Sequence, residues 1–127
     1  MAIRTELNLR LPNSPGALAA VCRALADERV NIVAMSVESS GQLRLVVDNH
    51  VRAIGVLRER HHQVTEREVI VASIGGGPGA LAPVLQLAAG AGVNVEYAYG
   101  TAADGMGGAA IVIGVDNAAR AAAAAGI

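Results

Sequence analysis

The chain has 127 residues, a net charge of −1 and 53% hydrophobic residues, which is typical of a single small globular domain. Its ten basic and eleven acidic residues form no basic stripe, and it has no Phe or Trp and only two Tyr, which argues against nucleic acid as a partner. No stretch approaches the ~20 apolar residues that a membrane-spanning helix needs, and the N-terminus lacks the apolar centre of a signal peptide. We therefore expect a cytoplasmic protein with no membrane association.

The first half of the chain has the pattern of alternating strands and helices. Apolar and polar residues alternate from Ile3 to Leu11, which predicts a half-buried strand. Pro12–Gly16 interrupts that strand, with Ser14 as the predicted N-cap and Pro15 as the first residue of a helix. The other predicted features are the helix face Leu18, Val21, Cys22 and Leu25, the strands Ile32–Glu38 and Gln42–Val47 with a hairpin at Ser39–Gly41, a helix with the face Val51, Ile54 and Leu57 capped by Asp48 or Asn49, and the strand Val64–Glu68. The order β-α-β-β-α-β is that of the ferredoxin-like split βαβ unit.

The second half of the chain repeats part of the first half. Residues 77–95 align with residues 14–32 at an offset of 63 positions, and nine of the 19 aligned residues are identical. The identical pairs are Pro15/Pro78, Gly16/Gly79, Ala17/Ala80, Leu18/Leu81, Ala19/Ala82, Val21/Val84, Ala26/Ala89, Val30/Val93 and Asn31/Asn94. The repeat predicts two units, residues 1–68 and residues 69–127. Each is too small to bury enough surface alone, so the two should share a core or be completed by a second chain.

The predicted elements of the second copy follow the same order but stop early. Its helix is expected to begin near Ala80, because Pro83 is tolerated only in a first helical turn. The other predicted elements are the strands Val69–Ile74, Val93–Gly100 and Ala109–Val115, a connection at Thr101–Gly108 that is five residues longer than in the first copy, and a helix at Asn117–Ala125. The final strand is short or missing. Three alternatives remain open, namely a three-stranded half-unit, donation of Val64–Glu68, and completion by a partner chain.

The outer faces of the two first strands differ in polarity. In the first copy this face carries Glu6, Asn8 and Arg10, whereas in the second copy the equivalent residues are Val69, Val71 and Ser73. An apolar face directed away from the helices needs a cover, and a second subunit is the simplest one. We therefore predict a homodimer.

The loop and helix of both copies resemble the ACT domain. The first copy reads L-P-N-S-P-G-A-L-A followed by V-N-I, and the second reads I-G-G-G-P-G-A-L-A followed by V-N-V. The resemblance covers almost the whole chain. It implies an α+β fold of two tandem ferredoxin-like βαββαβ units that lie side by side with a shared antiparallel sheet. It also implies a regulatory module that binds a small effector, typically an amino acid, at the junction of the units and near the loops between strand one and helix one.

The residues around those loops form the candidate ligand site. Backbone N–H groups at a helix N-terminus suit a carboxylate, and the loop glycines let the backbone approach a ligand closely. In the second copy Gly76 replaces Asn13, so a side-chain contact is lost there. For Asn31 and Asn94 a left-handed helix-closing role is favoured over ligand contact, and Tyr97 and Tyr99 are as consistent with core packing as with a pocket wall. The candidate ligand-binding residues are Leu11, Asn13, Ser14, Pro15, Gly16, Ala17, Leu18, Asn31, Ile32, Gly76, Gly77, Pro78, Gly79, Ala80, Leu81, Asn94, Val95 and Tyr97.

Other chemical signals in the sequence are weaker. Gly75, Gly77 and Ala80, with Glu96 further on, outline a dinucleotide-binding fingerprint, but Pro78 removes a donor there and the first copy lacks the pattern. The His61-His62 pair has no further ligand at metal-binding spacing, and the single Cys22 is expected to be a small buried thiol. We therefore predict no metal, no cofactor and no catalytic residue.

Three functions remain open at the level of sequence. The favoured function is an amino-acid-binding regulatory protein that acts alone or on an enzyme of amino-acid metabolism. The alternatives are a structural or dimerisation module without a ligand and, less favoured, an enzyme that binds a nucleotide cofactor.

Overall fold

The computed structural model describes residues 1–101 and 109–126. Within these residues the elements are β1 (Ala2–Arg10), α1 (Ala17–Asp27), β2 (Ile32–Val37), β3 (Gln42–Val47), α2 (His50–Glu59), β4 (Thr65–Ile74), α3 (Ala82–Gly90), β5 (Val95–Gly100), β6 (Ala109–Val115) and α4 (Ala118–Ala125). No helix in these residues is long and apolar enough to cross a bilayer.

Contacts within the chain divide it into two compact units. The N-terminal unit comprises Thr5–Arg67, and the C-terminal unit comprises Met1–Arg4 together with Glu68–Ile127. Both β1 and β4 therefore contribute residues to each unit. The division into residues 1–68 and 69–127, which we drew from the sequence repeat, stays a prediction.

The N-terminal unit is a ferredoxin-like βαββαβ unit. Its strand order is β2-β3-β1-β4, with β3 antiparallel to both β1 and β2. Thr65 of β4 donates from Oγ1 to the carbonyl oxygen of Asn8 at 3.4 Å. The core lies between the sheet and the helices α1 and α2, and the leucines that fill it are fully buried. These leucines are Leu7, Leu25, Leu43, Leu45 and Leu57.

The C-terminal unit has the same strand positions in the order β1-β4-β6-β5, with Ala2–Arg4 as the contribution of β1. The position of the missing last strand is therefore taken by the start of β1. None of the three alternatives left open by the sequence describes this arrangement, because β1 is long enough, at nine residues, to contribute to both units. The core residues that pack between this sheet and the helices α3 and α4 include Ile70, Ala88, Ile113, Val115 and Ala121.

Several predicted elements have the expected bounds, and others need correction. The α+β class with two tandem ferredoxin-like units is confirmed, as are the bounds of β3 and β6. Pro83 lies in the first turn of α3, as predicted, because that helix begins at Ala82. The division of Val64–Glu68 and Val69–Ile74 into two strands is wrong, because no Gly or Pro interrupts the stretch and it forms one strand. Val51 is also misassigned, since it is 71% exposed. Leu57 is buried as predicted, and the other buried residues of α2 are Ala53 and Val56.

The sequence repeat reappears as a repeated hydrogen-bond arrangement. The backbone N–H of Asn31 donates to Asp48 Oδ1 at 3.0 Å, and that of Asn94 donates to Asp116 Oδ1 at 3.0 Å. The next residue in each copy then caps a helix, because Asn49 and Asn117 each accept a backbone N–H three residues later, at 3.1 Å and 3.0 Å.

The left-handed residue at the first helix end of each copy is not the one predicted. Arg29 has φ of 59° and Gly92 has φ of 71°, whereas neither Asn31 nor Asn94 has a positive φ. The helix-closing turn is therefore complete two residues before each asparagine, and the prediction for Asn31 and Asn94 is wrong.

On the outer face of β4, Val69 is already covered within the single chain. Val69 is fully buried, Val71 is half-buried and Ser73 is exposed. The burial of Val69 therefore needs no second copy, and the homodimer stays a prediction.

Candidate functional site

A groove lies between the β1–α1 loop and the β2–β3 hairpin of the N-terminal unit. It has a volume of about 650 Å³, which is within the usual range for small-molecule sites. We call it the loop–hairpin groove. Its lining residues are Leu11, Pro12, Asn13, Ser14, Gly16, Ala17, Leu18, Ala19, Cys22, Glu38, Ser39, Ser40 and Gly41.

The β1–α1 loop is shaped by a short turn that ends at a left-handed glycine. The N–H of Ser14 donates to the carbonyl oxygen of Pro12 at 2.9 Å, and the N–H of Ala17 donates to that of Ser14 at 3.3 Å. Gly16, with φ of 81°, then occupies the N-cap position of α1. The predicted cap at Ser14 with Pro15 as first helical residue is therefore wrong, because the chain needs the left-handed conformation of Gly16 before the helix can begin.

The hairpin is tied to the end of β1 through Gly41. The N–H of Leu11 donates to the carbonyl oxygen of Gly41 at 2.7 Å, and the N–H of Gly41 donates to that of Glu38 at 2.9 Å. Gly41 has φ of 91°, and a Cβ there would lie 2.7 Å from the carbonyl oxygen of Leu11. This close approach fixes the distance between the two sides of the groove.

One side of the groove offers hydrogen-bond donors at the positive end of a helix, and the other side offers a negatively charged acceptor. Within the part of the chain that the structure describes, the N–H groups of Leu18 and Ala19 in the first turn of α1 have no hydrogen-bond acceptor, and a helix N-terminus carries a partial positive charge. On the hairpin side, Glu38 is 51% exposed and forms an ion pair with Arg44, whose side chain is 17% exposed. The apolar side chains of Leu11, Leu18 and Cys22 also line the groove.

The structure brings together six of the candidate residues of the first copy. They line the loop–hairpin groove and are Leu11, Asn13, Ser14, Gly16, Ala17 and Leu18. Pro15 lies in the same exposed loop but does not line the groove. Asn31 and Ile32 are elsewhere, because Ile32 begins β2 and Asn31 directly precedes it. Since β2 runs parallel to β1, the end of β2 and not its start reaches the β1–α1 loop.

Sequence reasoning missed the hairpin half of the groove. The sequence predicts Glu38 as the end of a strand and Ser39–Gly41 as a hairpin, and no local signal marks these residues as site residues. The topology does indicate that the hairpin lies beside the β1–α1 loop. The two strands of a β-α-β connection are parallel, so they end at the same edge of the sheet even when one antiparallel strand lies between them. The same reasoning would have removed Asn31 from the candidate site.

The candidate residues of the second copy do not form an equivalent arrangement in the described residues. Gly76, Gly77, Pro78 and Gly79 form an exposed loop with Ala80 half-buried beside it, and Leu81 is the N-cap of α3. The counterpart of the hairpin, at residues 102–108, lies outside the described residues. Asn94 pairs through its backbone with Asp116, and Val95 is an exposed residue of β5.

Tyr97 lies against a glycine on the neighbouring strand. It is paired with Gly114 of β6, and a Cβ at position 114 would lie 2.3 Å from Cζ of its ring. The rings of Tyr97 and Tyr99 are stacked with their centroids 6.3 Å apart. Gly114 thus leaves the space that the Tyr97 ring fills, which is a packing role.

Other chemistry has little support in the described residues. No group of three His, Cys, Asp or Glu side chains is placed to hold a metal ion in the described part of the chain. The third position of the dinucleotide fingerprint, Ala80, precedes α3, which begins at Ala82, whereas the fingerprint requires the helix to open within the glycine motif.

Comparison with known proteins identifies the family. Residues 5–66 match the ACT domain. Protein BT0572 from Bacteroides thetaiotaomicron is 30% identical in sequence to this chain, with a TM-score of 0.86 over 96% of this chain and 85% of that one. The chain belongs to the ACT-domain family. Among curated proteins, none matches the sequence.

Two further solved structures share the tandem ACT fold. The regulatory subunit of aspartate kinase from Thermus thermophilus is 20% identical, with a TM-score of 0.64 over 99% of this chain and 96% of that one. Escherichia coli aspartokinase III, solved in complex with lysine and aspartate, is 20% identical, with a TM-score of 0.57 over 87% of this chain and 28% of that one. The first has the length of this chain, and the second carries the fold as part of a larger enzyme.

Proposed function

We propose that this protein is a non-catalytic regulatory module that binds a free amino acid in the loop–hairpin groove. The observation that carries the proposal is the position of two kinds of group across the groove. Within the described residues, the N–H groups of Leu18 and Ala19 lack acceptors on one side, and the carboxylate of Glu38 lies on the other. A free α-amino acid has the complementary charges on one carbon atom.

The two sides of the groove suit the two ends of a zwitterion. The ligand carboxylate accepts from the N–H groups of Leu18 and Ala19, where the partial positive charge of α1 favours an anion. The ligand ammonium donates to Glu38, whose carboxylate has more lone pairs than its pair with Arg44 uses. Leu11 and Cys22 provide apolar contact for the ligand side chain.

The similar structures support a regulatory role and suggest a partner. One is named as a regulatory subunit of aspartate kinase, and another is an aspartokinase solved with lysine and aspartate. We propose by analogy that this chain acts in the cytoplasm on an enzyme of amino-acid metabolism. We also propose that it is a homodimer, which a measurement of its mass in solution tests. Ligand binding and partner binding would then be coupled, each changing the affinity of the other by the same factor.

The first experiment is a thermal-shift series with the twenty L-amino acids on the wild-type protein and two variants. A ligand that binds only the folded state raises the melting temperature by mass action. Glu38→Gln removes the charge that faces the ligand ammonium, and a charge-assisted hydrogen bond of about 1.5–3 kcal/mol corresponds to a loss of affinity of at least about tenfold. We expect one or a few amino acids to stabilise the wild type and to lose that effect in Glu38→Gln.

The matched control is Glu59→Gln, which removes the same charge from an exposed position on α2 outside the groove. It should respond to the amino acid as the wild type does. A flat response of the wild type to all twenty amino acids would favour the structural module without a ligand. A stabilisation that survives in Glu38→Gln would place the amino acid elsewhere.

A further inference from the structure

A second groove of about 680 Å³ lies beside the end of β1, between that strand and the connection from α2 to β4. Leu11 and Pro12 line both grooves, but the other five lining residues of the second groove are different, and four of them are basic. We call it the basic groove. Its lining residues are Arg10, Leu11, Pro12, Arg60, His61, His62 and Gln63.

The basic residues are held side by side by the turn that ends α2. The N–H groups of Arg60 and His62 both donate to the carbonyl oxygen of Leu57, at 3.1 Å and 3.0 Å, and the N–H of His61 donates to that of Arg58 at 3.0 Å. His61 takes the left-handed conformation that this turn requires, with φ of 67°. Three consecutive basic side chains are thereby presented at one wall, with Arg10 on the other.

The positive charge of the groove is not neutralised by its own lining. No carboxylate lines the groove, and neither Arg60 nor either histidine has an ion-pair or hydrogen-bond partner for its side chain within the described residues. Arg10 makes one long hydrogen bond, from Nη1 to the carbonyl oxygen of Ser40 at 3.5 Å. Both guanidinium groups therefore keep most of their donors available.

The negative end of the α2 dipole opposes anion binding in the basic groove, but its charge is smaller than that of the basic side chains. The C-terminus of a helix carries a partial negative charge of roughly half a unit. At the end of α2 the carbonyl oxygens of Leu57 and Arg58 already accept the N–H groups of the following turn. The two full positive charges of Arg10 and Arg60 exceed the partial negative charge that remains at this helix end.

We propose that the basic groove is a binding site for the di- or triphosphate group of a small molecule. Arginine presents planar sets of donors that match phosphate oxygens, and two such groups with two imidazoles and the amide of Gln63 suit a group with several anionic oxygens. A free amino acid is a poor fit, because its ammonium would meet two guanidinium charges and no carboxylate among the lining residues. The polar side chains that would hold the phosphates are different from those of the amino-acid site proposed above, although the two grooves share Leu11 and Pro12.

The test is calorimetric titration of the full chain, at low ionic strength, with pyrophosphate, ATP and adenosine. We expect pyrophosphate and ATP to bind at one saturable site and adenosine not to bind. Equal affinity for pyrophosphate and ATP would assign the site to a polyphosphate alone, and tighter binding of ATP would assign it to a nucleotide. Either result supports the proposal.

The variants Arg10→Gln and Arg60→Gln should each weaken pyrophosphate binding about tenfold, since each removes a charge-assisted contact. Arg23→Gln is the matched control, because it removes the same charge from an exposed position on α1 outside both grooves, and it should change the affinity less than about twofold. The proposal is overturned if pyrophosphate gives no saturable binding, if adenosine binds as well as ATP, or if Arg23→Gln weakens binding as much as the other two variants. Thermal melting of each variant shows whether it is folded.

Discussion

Gly41 is the residue on which the geometry of the loop–hairpin groove depends most. Its left-handed φ and the 2.7 Å approach of its would-be Cβ to the carbonyl oxygen of Leu11 both exclude a side chain. An alanine there must take a strained backbone conformation and also push the hairpin away from the end of β1. The hydrogen bond from Leu11 to Gly41 would lengthen, and the two walls of the groove would separate.

We predict that Gly41→Ala lowers the free energy of unfolding by about 1–3 kcal/mol, the usual range for a strained backbone position. Urea denaturation measures this change. Gly55→Ala is the control, because Gly55 lies within α2 at a negative φ with open space around its Cβ position, and alanine in a helix is favoured over glycine by up to about 1 kcal/mol. Equal stability of Gly41→Ala and wild type would show that the hairpin adjusts freely.

At the level of single residues, some members of the candidate site could be identified from the sequence and others could not. Gly16 stood out because a Pro-Gly pair precedes an apolar helix pattern in both copies. Glu38 did not, because nothing in its neighbours distinguishes a groove-lining carboxylate from an ordinary exposed residue at the end of a strand. Tyr97 was ambiguous for a similar reason, since only the pairing of β5 with β6 places Gly114 under its ring.

At the scale of elements, periodicity and turn chemistry predicted most of the fold. The alternating pattern of β1, the bounds of β3 and β6, and the position of Pro83 in α3 all follow from local preferences. The start of α1 was predicted two residues early, because a Ser-Pro pair is a common helix start and the sequence does not show that the left-handed turn at Gly16 must come first. The continuity of β4 was missed for the opposite reason, since the repeat suggested a boundary where the backbone has no break.

The duplicated caps lead to a prediction about α2. Asn49 is its N-cap and accepts the N–H of Arg52 at 3.1 Å. Replacement of Asn49 by alanine leaves this N–H without its partner, and loss of such a cap costs about 1 kcal/mol, within a range of 0.5–2. We therefore expect Asn49→Ala to lower the free energy of unfolding in urea by about that amount.

Asn13→Ala provides the comparison for this cap. Asn13 is exposed in the β1–α1 loop, and its side chain makes no hydrogen bond within the described residues, so its replacement should change stability by less than about 0.5 kcal/mol. Asn117→Ala should resemble Asn49→Ala, since Asn117 caps α4 with the same geometry. If all three variants were equally stable, the caps would have no energetic role.

At the scale of the whole molecule, the repeat predicted two units but not how each completes its sheet. The sequence repeat begins after the first strand, so it carries no information about which residues lie beside β4. In the structure that place belongs to Ala2–Arg4, which are grouped with Glu68–Ile127. Residues at opposite ends of the chain therefore stabilise one unit, and local sequence patterns cannot reveal such a long-range pairing.

This arrangement predicts that removal of Met1–Arg4 weakens the C-terminal unit selectively. Loss of a neighbouring strand leaves the β4 amides that faced it without acceptors, so their exchange with deuterium should become faster by at least about tenfold, equivalent to about 1.4 kcal/mol of local stability. Hydrogen-exchange mass spectrometry of a peptide covering Glu68–Ile74 measures the effect. The internal reference is a peptide covering Leu43–Val47 of β3, which lies in the N-terminal unit and pairs there with β1 and β2. Unchanged exchange in β4 would mean that Ala2–Arg4 do not act as its fourth strand, whereas equal acceleration in both peptides would mean that the two units unfold together and not one at a time.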